Sequence, residues 1–108
     1  MQTSESGPAY QLDIREPDKD PRVKTLEVGE YRIGRSRECN IQLLDGYVSR
    51  FHCRLIVYSD ERVSICDRRS HNGTLVNGQR LPPGEEHNLE AGDCVTLGGY
   101  INLTLVKV

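Results

Sequence analysis

Three short stretches hold residue types suited to gripping a polyvalent anion. Gly34-Arg35-Ser36 ends an apolar run, Val48-Ser49-Arg50-Phe51-His52 leads into another, and Ser70-His71-Asn72-Gly73-Thr74 is followed by Val76-Asn77-Gly78. An arginine fork meets phosphate or carboxylate oxygens two at a time, and a serine hydroxyl adds a further donor. Arg35 and Ser49, with Arg50 as a second cation, are therefore candidates for anion contact. Asn72 carries donor and acceptor on one short amide, which suits it to bonding the main chain of an extended ligand. His52 reads as a satisfied, partly buried histidine. Asn77-Gly78 reads as a hairpin turn with both residues at positive φ.

The same stretches invite a catalytic reading. Ser49, His52 and Asp67 supply the residue types of a hydrolytic triad, yet a serine and a histidine three apart at a strand entrance need not meet. The chain has neither a nucleophile elbow nor a Walker-type phosphate loop, so an enzyme is not expected. Four cysteines, at 39, 53, 66 and 94, form no C-x-x-C pair. No spacing of His, Cys, Asp or Glu suggests a metal, and no cofactor is expected. Reduced, mostly buried thiols point instead to an intracellular compartment, cytoplasmic or nuclear.

Charge is divided unevenly along the chain. The formal net charge is −2, but residues 32–80 hold nine cations against five carboxylates, giving +4 between two flanks of −3. All nine are arginine, at 32, 35, 37, 50, 54, 62, 68, 69 and 80. A merely solubilising surface would be expected to draw on lysine as well. Composition leaves open whether this belt binds anions or is a solvated face. Acidic flanks and the scatter of Tyr47, Phe51 and Tyr58 argue against nucleic acid as the partner.

The elements that must position these residues read as short strands. A chain of 108 residues, 36% hydrophobic and 28% charged, suits one domain with its own core. No apolar run approaches the ~18 residues of a membrane span, and the first ten residues lack the features of a secretory signal, so no membrane partner is expected. Helical periodicity is absent. About ten β-rich runs recur between turn signals such as Asp45-Gly46, Asn72-Gly73, Pro82-Pro83-Gly84 and Gly98-Gly99, which favours two packed antiparallel sheets. Residues 9–108 are expected to form one domain and residues 1–8 a disordered tail. One hairpin can be registered: an odd-length loop around residues 59–62 puts Cys53, Leu55 and Val57 on the same face as Val63 and Ile65, with Arg54 outward.

Singly, each motif is weak. In this order, with 14 residues from Arg35 to Ser49 and 22 from Arg50 to Asn72, they resemble the forkhead-associated (FHA) domain family, whose sparse signature is Gly-Arg, Ser-x-x-His, Asn-Gly-Thr and Asn-Gly. The resemblance spans residues 23–107. It implies an all-β fold, an antiparallel β-sandwich of about eleven strands. It also implies a non-catalytic module that binds a phosphothreonine-containing protein, downstream of a Ser/Thr kinase, with loops at one end. By that resemblance Arg35, Ser49 and Arg50 contact phosphate and Asn72 contacts ligand backbone. His52 braces the Ser49 loop, and Gly34, Gly73, Asn77 and Gly78 are structural supports. A small apolar notch for the threonine methyl would separate phosphothreonine from phosphoserine.

One position departs from the family pattern. The residue before Asn72, usually Ser, Thr or Gly, is His71 here, and its protonated form would add a third cation near phosphate. Tyr47, Arg68 and Arg69 lie in adjoining loops and are expected to read side chains beyond the phosphothreonine, the arginines favouring acidic ones. Thr3, followed by Ser4 and Glu5, permits the tail phosphorylation that regulates some small members. Two rival readings stay open: a phosphorylation-independent structural or oligomerisation sandwich, and a weak nucleic-acid module using the arginine belt.

Overall fold

The computed structural model describes residues 8–108. Of the tail expected over residues 1–8, only Pro8 falls among them, and Thr3 lies outside. The described residues contain eleven strands and no helix: β1 (Tyr10–Arg15), β2 (Arg22–Leu26), β3 (Gly29–Gly34), β4 (Ile41–Gln42), β5 (Cys53–Ser59), β6 (Arg62–Asp67), β7 (Thr74–Val76), β8 (Gln79–Arg80), β9 (Glu86–Leu89), β10 (Cys94–Leu97) and β11 (Ile101–Lys107). They form a six-stranded sheet in the order β2-β1-β11-β10-β7-β8 and a five-stranded sheet in the order β4-β3-β5-β6-β9.

Alternation builds the sandwich. In β1, Tyr10, Leu12 and Ile14 are buried while the residues between them are partly exposed, and β11 repeats the pattern with Ile101, Leu103 and Leu105. These side chains meet Ile33, Leu55, Val57, Val63 and Ile65 of the second sheet in one core. Fully burying each such side chain stabilises the fold by roughly 1.5–3 kcal/mol. β11 lies between β1 and β10, so it alone joins the β1–β2 hairpin to the rest of its sheet.

The β5–β6 hairpin has the register that the apolar pattern demands. Leu55 pairs with Ile65 and Val57 with Val63, ahead of a bulge between Val57 and Ser59. Cys53 is buried in the core. Arg54 faces outward and pairs with Glu30 at 3.6 Å.

Two features depart from expectation. β3 and β4 pair in parallel, Ile33 with Ile41 and Gly34 with Gln42, whereas every other strand pair is antiparallel. A bond from Cys39 N–H to the Ser36 carbonyl closes the intervening turn. The Asn40 amide oxygen then accepts from Arg32 N–H at 2.7 Å, which sets β4 alongside β3 pointing the same way. β8 was also not anticipated: it has two residues, both exposed, and so leaves no apolar signature. It forms because Asn77 and Gly78, at φ 50° and 86°, make the expected tight turn after β7.

Candidate functional site

Gly34 brings the first two loops together. It is not among the glycines at positive φ, so the freedom it supplies is spatial. A Cβ there would lie 2.3 Å from the Arg50 carbonyl oxygen and 2.9 Å from that of Ser49. Only a glycine lets the β4–β5 loop press against the end of β3. Across this contact Arg35 N–H donates to the Ser49 carbonyl at 3.0 Å, and Ser36 N–H to the Arg50 carbonyl at 3.1 Å. The Arg35 guanidinium is anchored by one nitrogen, its Nε donating to the Val48 carbonyl at 3.1 Å.

The β4–β5 loop is shaped by Asp45, whose side chain accepts from Tyr47 N–H at 2.8 Å and whose carbonyl accepts from Val48 N–H at 3.0 Å. This Asx-type turn turns Tyr47 out to solvent and Val48 into the core. Tyr47 leans on Tyr100, with ring centroids 6.0 Å apart. At Gly98 a Cβ would come within 3.0 Å of the Tyr47 Cβ. The β10–β11 turn thus adjoins the same rim.

Two buried polar groups tie in the third loop. His52 has no exposed surface, and both its ring nitrogens are used. Nδ1 accepts from Ser49 N–H at 3.0 Å, so Nε2 carries the proton and donates to the Gly73 carbonyl at 2.8 Å. Burial pushes the imidazole below its ordinary value of 6.5, which outweighs the opposing pull of the Gly73 carbonyl and Asp67. Asp67, also buried, accepts from Ser70 Oγ at 2.5 Å and from Thr74 Oγ1 at 2.7 Å. Ser70 Oγ in turn accepts from Gly73 N–H at 2.9 Å. Gly73 sits at φ 88° while Asn72 is not at positive φ, so Asn72-Gly73 is no mirror-image hairpin turn. The serine, histidine and aspartate form no relay: the imidazole meets the backbone of Ser49, and the Ser49 hydroxyl lies on His71.

Arg35, Ser49, His71 and Asn72 therefore converge. His71 N–H donates to Ser49 Oγ at 2.9 Å, and Asn72 Nδ2 donates to the Tyr47 carbonyl at 2.7 Å. Arg35, Arg50, His71 and Asn72 are exposed and Ser49 half-buried. The side chains of Arg35 and Arg50 make no ion pair among the described residues. Arg68 and Arg69 gather elsewhere, beside Arg54 and Cys66 of the five-stranded sheet.

Sequence reasoning missed Asp67 as the anchor of the third loop and Tyr100 as the neighbour of Tyr47. The signal for the first was a serine three residues and a threonine seven residues beyond an aspartate that ends a strand. For Tyr100 the only trace was an aromatic residue directly after Gly98-Gly99. Among the described residues no group of three or more His, Cys, Asp or Glu is placed to hold a metal ion.

Comparison with known proteins bears on this geometry. The family model for the FHA domain matches residues 31–98. The chain is 31% identical over 80 residues to the E3 ubiquitin-protein ligase rnf8 of Danio rerio, a match that covers 70% of this chain and 16% of the ligase. The chain thus spans less than a fifth of that relative. Among solved structures, the FHA domain of CT664 from Chlamydia trachomatis superimposes with a TM-score of 0.84 at 27% identity, covering 93% of this chain and 98% of the other. A domain solved in a study of phosphothreonine-dependent FHA interactions gives 0.79 at 27% identity, over 93% and 97%.

Proposed function

From a chain that belongs to the FHA domain family, we propose a specific role: binding a phosphothreonine-containing segment of a partner protein at the rim formed by Arg35, Ser49, Arg50, His71 and Asn72. The observation that carries this reading is the polarity of the rim. Ser49 Oγ already accepts from His71 N–H, so its own proton is left to donate. Arg35 is held through Nε, which leaves its two terminal nitrogens for a ligand. A phosphothreonine brings about −1.5 to −2 charge and three strong acceptor oxygens to these donors. The Asn72 amide, positioned through the Tyr47 carbonyl, keeps its oxygen and one N–H for the peptide backbone.

Such a module is non-catalytic and serves signalling by a Ser/Thr kinase. Four unpaired thiols suit a reducing, intracellular compartment. Few anchors on a flexible peptide put the affinity near micromolar, on the order of −8 kcal/mol.

The test is a phosphothreonine-peptide library, with unphosphorylated and phosphoserine versions of each hit as controls. Each charge-assisted bond to phosphate is worth roughly 1.5–3 kcal/mol. Arg35→Ala should therefore weaken the best peptide at least tenfold with an unchanged melting curve. Normal binding by that variant, or indifference to phosphorylation, overturns the reading and returns the protein to the structural-sandwich alternative. His71→Ala should weaken the phosphopeptide relative to wild type, and an unchanged affinity would remove the His71 side chain from the site.

A further inference from the structure

Most of the arginine belt is not used at the rim. Arg54, Arg68 and Arg69 line a cavity of about 390 Å³ with Cys66, Asp67 and Gly84. Arg68 also borders a second cavity of about 230 Å³ with Arg32, Phe51 and Cys53. Arg32 and Arg54 are paired residues on β3 and β5, and Arg54 is paired with Cys66 of β6. The two hollows therefore lie side by side against the outward face of the five-stranded sheet. Four guanidinium groups border them.

The nearby carboxylates Glu30, Glu86 and Asp67 offset the charge of these four arginines only in part. Glu30 lies 3.6 Å from Arg54 Nε, too far for a hydrogen bond, and that nitrogen is buried without a partner. Glu86, across from Cys66, is engaged by the hydroxyls of Tyr58 at 2.6 Å and Ser64 at 2.7 Å. Asp67 is turned inward to Ser70 and Thr74. Arg68 and Arg69 make no ion pair among the described residues. Arg69 sits at φ 56°, with its guanidinium 3.7 Å from where a Cβ on Gly84 would be.

We propose that this face is a second anion-binding surface, which takes an acidic segment of the same partner whose phosphothreonine occupies the rim. The proposal rests on the function above and adds Arg32 and Arg54 to the binding surface. Continuity supports one partner for both places. Arg69 is three residues before Asn72, so their Cα atoms are at most about 11 Å apart. Adding the reach of an arginine, an extended peptide covers the gap in roughly five residues. Arginine forks suit carboxylate and phosphate alike, so the acidic residues could be Asp and Glu or further phosphorylated side chains.

The experiment compares phosphothreonine peptides that differ only in a flanking block about five residues away: glutamates, phosphoserines, or glutamines, on either side. With wild-type protein, at least one acidic block should tighten binding about five- to twentyfold over glutamine. Glutamate against phosphoserine separates the two sources of charge. Arg54→Gln, and independently Arg32→Gln, should lose most of that gain while binding the glutamine-flanked peptide as wild type does, each with a normal melting curve. Equal affinity for acidic and neutral blocks overturns the second surface while phosphorylation dependence at the rim still stands. Loss of phosphorylation dependence, with the acidic gain intact and abolished by Arg54→Gln, overturns the rim and the shared-partner claim. Single-stranded DNA that displaces the acidic peptide at equal charge, with a steep salt dependence, overturns it in favour of nucleic acid.

Discussion

His52 shows how one side chain can hold two loops, because its nitrogens bond the backbone of Ser49 on one side and Gly73 on the other. That double role requires the neutral ring. Burial depresses the folded-state value below 6.5, so the folded protein binds fewer protons than the unfolded chain on the acid side. This contribution is complete above about pH 6.5 and is lost as pH falls from there towards the depressed folded value. Urea denaturation across that window should show wild type losing stability on acidification, and His52→Ala showing a shallower dependence. The same variant leaves a part-buried N–H and a buried carbonyl unmet, at a cost of about 2–4 kcal/mol. Residue roles were partly legible. The amide, hydroxyl and guanidinium of the rim declare their chemistry by type, and His52 by its place entering an apolar run. Asp67 did not, because an aspartate before a loop looks the same whether it faces water or is buried beneath Ser70 and Thr74.

Elements are positioned by close approaches as well as by alternation. Gly34→Ala places a Cβ within 2.3 Å of backbone that cannot rotate away, so the β4–β5 loop must move. The expected result is about 2–4 kcal/mol of lost stability and at least tenfold weaker phosphopeptide binding, measured by urea denaturation and by peptide titration. A near-normal variant would show that the loop yields freely. The family resemblance pointed to this glycine only as a structural support. Nothing in a single chain announces that another loop passes over it. The β5–β6 register, by contrast, follows from the pattern alone, since slipping one residue would turn Ile65 away from Leu55 and Val57 and expose it with Ile56 on the other face. Short elements escaped for lack of pattern: β8 has no buried residue, and the parallel direction of β4 is fixed by a turn and the Asn40 side chain.

At the scale of the molecule, the sheets stand or fall together. Leu103 pairs with Ile14 on one side and Val95 on the other and has no exposed surface. A charge placed there is desolvated at the junction of the β1–β2 hairpin with the rest of the sheet. Leu103→Asp should cost on the order of 4 kcal/mol or more and abolish a single cooperative urea transition. Asn102→Asp, on the exposed neighbour in the same strand, should leave the transition nearly in place. Two-sheet architecture was readable from the run of strands and turns. The gathering of arginines on one sheet face was not, since those residues come from β3, β5 and the segment after β6.

The direction of the hydrogen bond at Ser49 carries a practical consequence for work in cells. With its oxygen already occupied by His71 N–H, the hydroxyl is left, under the proposed function, to donate to one oxygen of a tetrahedral phosphate. Aspartate or glutamate introduced in place of the partner's threonine is planar, carries a single charge and offers two oxygens instead of three. Such phosphomimetic alleles should behave as loss of the interaction, and not as its constitutive form.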